Sequence, residues 1–454
     1  MKRALFILFA FHLFLTNFAC AQQTELLEWA KALGGSVVGY SIAVDASGNV
    51  FTTGFFTGTV DFDPGATTFN LTPVSSRDIF VSKLDASGNF VWARAMGGTG
   101  AAGTGFSIAT DASGNVFTTG EFVGTFDFDP SAATFTLTST SPGSVDVFVS
   151  KLDPAGNFVW ARAMGGSNPD RGESIATDAS GNVFTTGYFS GPAAADFDPG
   201  PATFNLTSAG SVDIFVSKLD AAGNFVWAKA LRGPSLEVGN SIATDASGNV
   251  FTTGYFRGTT DFDPGAATFN LIPAGSEDIF ISKLDASGNF VWARAMGGTG
   301  SDVGRSIATD PSGNVLTTGL FNLTADFDPG AATFTLTASA GLQRIFVSKL
   351  DASGNFVWAG ALGGANGDTG ESIATDASGN VFTTGTFIGA TDFDPGASIF
   401  TLSSTAGSSD IFISKLDASG NFVWAGAMGG SSGGDVGESI TTDVSGNVDR
   451  KSVV

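Results

Sequence analysis

The chain has 454 residues, with 43 acidic against 21 basic side chains and a formal net charge of −22. Charge of that sign excludes nucleic acid and anionic membrane surfaces as partners and favours solubility, with divalent cations as the one small partner it invites. Its 62 Gly and 43 Phe point to a tightly turned β protein with an aromatic core.

The first residues read as an export signal. Lys2 and Arg3 give a positive start, residues 4–14 are apolar apart from His12, and Ala19-Cys20-Ala21 offers a small-x-small cleavage site before Gln22. Cys20 raises a lipoprotein alternative, but Asn17 stands where a lipobox wants Leu. The expectation is a signal over 1–21, cleavage after Ala21, and a secreted or cell-surface chain. No later apolar run approaches the about 20 residues of a spanning helix. The single His and single Cys both lie in the signal. A mature chain starting at Gln22 therefore has no disulfide, thiol nucleophile, Cys/His zinc site or Ser-His-Asp triad.

Residues 25–35, ELLEWAKALGG, form a lone strand. After it the chain repeats. A Ser opening an SIA or SIT motif recurs at Ser41, Ser107, Ser174, Ser241, Ser306, Ser372 and Ser439, and Trp29, Trp92, Trp160, Trp227, Trp292, Trp358 and Trp424 keep the same beat. Each unit holds two copies of strand, DASGN-like turn, strand. Asp opens the turn on its own backbone and Gly takes the left-handed position. One unit is then four antiparallel strands. Their two faces are both apolar or small: in NFVWARAM, Phe290, Trp292, Arg294 and Met296 alternate with Val291, Ala293 and Ala295. A sheet apolar on both sides must be covered on both sides. This predicts an all-β β-propeller over 22–448, with six complete four-stranded blades and a split, truncated seventh closed by the N-terminal strand. A β-solenoid is the alternative, although the units are long for one coil.

The succession SIA-x-D-x-S-G-N-V, D-x-F-V/I-S-K-L-D, G-N-F-V-W-A and M/L-G-G resembles the SBBP repeat, a bacterial β-propeller repeat, from Trp29 to Val448. The resemblance implies an exported or cell-surface propeller and brings no catalytic residues with it.

The last copy follows SGNV with Asp449-Arg450-Lys451-Ser452-Val453-Val454, where earlier copies read FTTG or LTTG. That string resembles the translation of a sequencing adapter, so 449–454 reads as a non-native tail on a fragment.

In a meander, the DASGN turns share one face of the ring. The other face carries the second-to-third connections, such as 259–277, and the fourth-to-first loops 165–173, 232–240, 297–305 and 363–371, which vary most. Loops on a rigid scaffold are where binding usually resides, and the channel mouth is a natural pocket. The expectation is a monomeric binding or scaffolding module for an extracellular protein or glycan, acting at this face.

The FDPG motif places two Asp per unit, at Asp61/Asp63, Asp127/Asp129, Asp196/Asp198, Asp261/Asp263, Asp326/Asp328 and Asp392/Asp394. An Asp-x-Asp loop can hold calcium through oxygen ligands, whereas Asp-Pro-Gly is also a type II turn. Two literal motifs fail on context. GxGxxG at 98–103 precedes a strand instead of the helix a dinucleotide needs, and GxSxG at 430–434 lacks a His base in the mature chain. A carboxylate-dependent carbohydrate hydrolase or lyase needs only two acids. The acids that break the repeat, Glu121, Glu173, Glu237, Glu277, Glu371 and Glu438, read as scattered singly among blades. The tryptophans read as inter-blade core, with a carbohydrate platform as the alternative.

Overall fold

A computed structural model describes residues 3–4, 26–338, 342–364, 366–405, 407–430, 433–443 and 445–453, with side chains between 28 and 448. The expected export signal lies outside the described residues apart from Arg3–Ala4. Among the described residues there is no helix.

The molecule is a β-propeller with six complete four-stranded blades, not a solenoid. The first blade is built from Ser36–Val44, Val50–Thr57, Asp78–Leu84 and Phe90–Met96, hydrogen-bonded in that order. The same antiparallel meander repeats over 102–164, 171–231, 237–298, 303–362 and 369–428. A two-stranded sheet, Val436–Thr442 with Val448–Val453, follows. The first strand of each blade packs on the first strand of the next, so first strands line the axis and fourth strands lie outermost.

The DASGN turns form as the residues dictate. Asp45 Oδ1 accepts the Ser47 and Asn49 N–H groups at 2.9 and 3.0 Å, its Oδ2 accepts the Asn49 side-chain amide at 2.7 Å, and Gly48 sits at φ 78°. The turn thus satisfies its own polar groups before tertiary packing begins.

Blades are joined in three ways. Serine hydroxyls on the first strands accept the next blade's isoleucine N–H: Ser41 from Ile108 at 3.3 Å, Ser174 from Ile242 at 3.2 Å, Ser372 from Ile440 at 3.1 Å. The tryptophans face the neighbouring blade. Trp92 is 6% exposed, 6.0 Å from Phe51, and its Nε1 donates to the Pro154 carbonyl of the second blade. That geometry is inter-blade core, not a platform open to sugar. Finally, the DFDP connections of the second to sixth blades fold as short hairpins that strap onto the preceding blade, as where Gly97 and Asp127 exchange backbone bonds of 3.1 and 2.8 Å.

One packing expectation needs correction. The alternation in NFVWARAM slips by one residue, because Lys283 pairs Trp292 while Leu284 pairs Phe290. Val291 is the extra residue of a β-bulge and stands 46% exposed. Trp292 and Ala293 are consecutive and both buried. The outermost strand is therefore not covered on both sides at that position.

Candidate functional site

The first strand of every blade carries a second bulge, next to the axis. In the first blade Gly39 pairs Gly54 and Ser41 pairs Thr53, leaving Tyr40 as the extra residue. The equivalent residues are Phe106, Glu173, Asn240, Arg305, Glu371 and, in the two-stranded sheet, Glu438. A bulge re-aims a side chain, and this one also explains the unvarying Gly of FTTG. A Cβ on Gly254 would lie 1.9 Å from the Val238 carbonyl oxygen that the bulge pushes over it.

Four of these residues, Tyr40, Glu173, Arg305 and Glu438, act across the axis on partners in blades that are not neighbours. Glu173 is influenced by Arg305 two blades on, and Tyr40 by Arg171 two blades on. Around one half of the ring runs a chain of charges: Arg77–Glu121 at 3.6 Å, Glu121–Arg171 at 4.0 Å and Arg171–Glu173 at 2.9 Å. Aromatic rings support it. The Arg171 guanidinium lies 3.7 Å from the Phe106 centroid, Arg77 lies 5.1 Å from Phe55, and Tyr40 packs 5.2 Å from Phe106. The other half has fewer rings: Asn240 donates to the Gly304 carbonyl at 2.8 Å, Arg257 pairs with Glu277, and Arg305 lies 3.9 Å from Glu371.

Charge is tuned here. Burial pushes the Glu173 carboxyl up to about 7, opposed by Arg171 and assisted by Glu121. Burial and then the neighbouring Glu371 push Glu438 up to about 7, with Arg305 opposing. Burial raises Tyr40, Tyr188 and Tyr255 as well. Burial works on Glu277 in the same direction, but hydrogen bonds from Ser301 and Arg257 outweigh it and hold that group below the usual range.

The acids that break the repeat are therefore not scattered. The fold gathers Glu121, Glu173, Glu277, Glu371 and Glu438 around the channel. Glu237 is the exception. It is fully buried at the start of the fourth blade's first strand, Glu237–Thr244, beside Asp213 and Thr260, and burial with the adjacent Asp213 raises it to about 8. Sequence reading separated these residues because it followed the chain, whereas part of the signal lay in register: Glu173, Glu371 and Glu438 all stand just before an SIA or SIT serine, at a position that changes from unit to unit.

The FDPG aspartates sit on the outer straps, far from this ring in role. Asp61 Oδ1 accepts the N–H groups of Asp63 and Phe69 at 3.0 and 2.8 Å, and Asp63 Oδ1 accepts that of Gly65 at 2.7 Å. Asp127, Asp196, Asp261, Asp326 and Asp392 repeat the first pattern. Asp129, Asp198, Asp263, Asp328 and Asp394 repeat the second. Their visible work is capping the strap. Among the described residues no three His, Cys, Asp or Glu are grouped to hold a metal ion. A groove of about 580 Å³ on the DASGN face is lined by Asp245, Lys283, Asp310 and Asp376, all residues of the repeat pattern. Among the described residues no helix is long and apolar enough to cross a membrane.

No family model matches the chain. An uncharacterized WD repeat-containing protein of Acanthamoeba polyphaga mimivirus is 24% identical over 472 residues, covering 87% of this chain and 34% of that one. The regulatory protein FlaEY of Caulobacter vibrioides is 27% identical over 147 residues, covering 32% of this chain and 15% of that one. The chain thus spans about a third of the length of the viral relative and less of the bacterial one. Among solved structures, Sqt1 from Chaetomium thermophilum aligns over 93% of this chain and 96% of its own at 12% identity, with a TM-score of 0.44. The Pan2 WD40 domain of Neurospora crassa covers 62% of this chain and 86% of its own at 10% identity, with a TM-score of 0.24.

Proposed function

We propose that this chain is an exported, non-enzymatic SBBP-type propeller that works as a monomeric binding or scaffolding module at the cell surface or outside the cell. Its ligand, a protein or a glycan, is received at the channel mouth. One observation carries the reading. Seven bulges in the same register present Tyr, Phe, Glu, Asn, Arg, Glu and Glu, while the Gly before each and the SIA or SIT motif after it stay constant. A framework held constant beneath a varied, inward-facing ring is what recognition requires. Similarity to a WD repeat-containing protein supports a scaffold of this kind, and the basic, apolar, small-residue start of the chain supports export.

The ring in this reading has seven blades, the last shared between the two ends of the chain. Ile42 N–H donates to the Ser439 hydroxyl at 3.3 Å, as the isoleucine of each other blade donates to its neighbour's serine. Trp29 Nε1 donates to the Ala86 carbonyl at 3.2 Å, as a fourth-strand tryptophan of a preceding blade does. Both contacts support an N-terminal segment acting as the seventh blade's outer strand.

A carbohydrate-active enzyme is the second reading, favoured by the gathering of Glu121, Glu173, Glu371 and Glu438. Two of these are raised to about 7, the range a general acid uses. Glycan and protein arrays, run beside turnover assays on the same preparation, separate the two. Saturable binding that Arg171→Ala and Tyr40→Ala abolish, without turnover, supports the binding module. Turnover abolished by Glu173→Gln or Glu438→Gln alone would overturn it.

A further inference from the structure

Two positions after each tryptophan stands a residue that changes sides of the charge scale only once. In chain order it is Lys31, Arg94, Arg162, Lys229, Arg294, Gly360 and Gly426. The arginines all do the same thing. Arg94 lies 5.4 Å from the Trp92 ring and reaches the third-to-fourth turn of the next blade. There its Nε donates to the Gly156 carbonyl at 2.8 Å and its Nη2 to the Ala155 carbonyl at 3.1 Å. Arg162 sets the same two bonds on Gly223 and Ala222, and Arg294 sets them on Gly354 and Ser353, each 5.4 Å from its own tryptophan. Behind these guanidinium groups Trp92, Trp160 and Trp292 are each 6% exposed. The cation also acts on the aspartate that opens the turn, as Arg94 on Asp153, Lys229 on Asp285 and Arg294 on Asp351.

Gly360 breaks the pattern. Trp358 keeps its bond to the next blade, Nε1 to the Ala418 carbonyl at 3.4 Å, but its ring is only half-buried and lines a groove of about 410 Å³. The matching groove on the first blade, about 530 Å³, has Arg94 in its wall and no tryptophan. The fifth-blade groove is therefore distinguished by what it exposes and not by its size. Opposite Trp358 stand Ser419 and Gly420, the counterparts of the residues whose carbonyls the arginines bond. Among the described residues no hydrogen bond from the chain reaches either carbonyl. Asp417, which opens that turn, is governed by burial and by bonds from Asn421, Ser419 and Gly420, with no cation among those influences. Gly426 repeats the glycine in the sixth blade, but among the described residues no third-to-fourth turn of a following blade faces it.

We propose that the groove at Gly360 is a binding site for a guanidinium group, the side chain of an arginine presented by a basic segment of a partner protein. The fold itself specifies the occupant, since three other blades fill the same setting with one. An indole face attracts a cation, and a planar fork of N–H donors matches two adjacent turn carbonyls as a compact ammonium does not. Asp417 supplies the opposite charge, and the net charge of −22 draws a basic segment toward the surface. The groove lies on the outer rim, where fourth strands run, so it stands or falls independently of any ligand at the channel mouth.

The test labels the full chain with fluorotryptophan, titrates it with N-acetyl-arginine amide and follows fluorine NMR, the Trp358 signal being identified from Trp358→Phe. A saturable shift of that signal is expected, with a Kd of about 1–10 mM for so small a probe. The signals of Trp92, Trp160 and Trp292 should stay still, because their grooves already hold an arginine. N-acetyl-lysine amide should bind at least about five-fold more weakly. Gly360→Arg fills the groove from within and should abolish the shift. Its Cβ would stand 2.7 Å from Pro395 Cβ and displace the strap, so Asp417→Asn, which keeps a turn acceptor, serves as a second variant and should weaken binding about three-fold. A Trp358 signal unmoved at about 50 mM probe overturns the proposal. So does an equal response to the lysine compound or to maltose, an equal shift of all the tryptophans, or undiminished binding in both variants.

Discussion

The two ends of the channel are built from the same strands and do opposite things. On the turn face, thirteen Asp residues from Asp45 to Asp443 accept the N–H two residues on at 2.8–2.9 Å, and almost nothing distinguishes one turn from the next. These carboxylates are spent on their own backbone. At Asp85, burial works against ionisation, but the hydrogen bonds from Asn89 and Ser87 outweigh it and hold the group below the usual range. At the bulge ring Glu173 and Glu438 are instead raised, the acids share their arginines across blades, and the bulge residue changes around the ring. Repetition has fixed the geometry on both faces. Only the ring leaves side-chain chemistry free to vary upon it.

The most damaging way to break this contrast is to remove a bulge. Gly254→Ala places a methyl against the Val238 carbonyl oxygen and 3.0 Å from Phe280. The bulge must flatten or the strands must part, and the expected loss is about 3 kcal/mol in urea-induced unfolding. A loss under about 0.5 kcal/mol would show that the bulge yields freely and does not aim Asn240.

The next effect is electrostatic. Between pH 4.5 and about 7 the folded chain keeps protons on Glu173 and Glu438 that the unfolded chain has released. The unfolded state then binds fewer protons, so stability falls as pH rises through that window. The double variant Glu173→Gln, Glu438→Gln should remove about 5 kcal/mol of that fall, measured as unfolding free energies at pH 5 and pH 8. Asp170, raised by burial to about 7, and Glu237, raised to about 8, titrate in the same range, so the curve flattens without becoming level. An unchanged pH profile would mean the ring is hydrated and its acids ordinary.

Six four-stranded blades, their strand order and the DASGN turns were legible because each is written many times and each is a local device. Asp, Ser and Gly at fixed offsets close a turn wherever they stand. The ring was not legible by the same route, for two physical reasons. A bulge shifts the alternation by one residue, so Tyr40 and Glu173 fall out of phase with a strict inward-outward count. The contacts that matter also join different blades, as Glu173 with Arg305, and no sequence spacing within one unit encodes them. Val291 failed through the same shift, on the outermost strand. The strap aspartates could be read as turn formers or as calcium ligands from sequence. Their backbone bonds became visible only once Phe69 and Gly65 had been brought back onto Asp61 and Asp63.

A smaller perturbation contrasts the faces directly. Asp178→Ala deletes acceptors for Ser180 N–H at 2.9 Å, Asn182 N–H at 3.0 Å and the Asn182 amide at 2.7 Å. About 1.5 kcal/mol should be lost by chemical denaturation with no effect on any ligand. Glu371→Gln, also one carboxylate, should cost under about 0.5 kcal/mol, since its closest cation stands 3.9 Å away and remains partly exposed. If the two losses are equal, turn and ring acids are doing the same structural work and the contrast collapses.

The finest test compares seams. Ser174→Ala removes an acceptor for Ile242 N–H at 3.2 Å inside the run of complete blades, and about 1 kcal/mol should go with it. Ser439→Ala removes the acceptor for Ile42 N–H at 3.3 Å, where the last described strands meet the first blade. The two bonds have the same chemistry, similar length and similar partial burial, so a ring closed in solution loses the same amount at both. If Ser439→Ala costs nothing while Ser174→Ala costs its share, the seam between the ends opens before the blades unfold. The propeller would then be a sprung arc, and the channel ring would complete itself only when something holds Glu438 beside Tyr40.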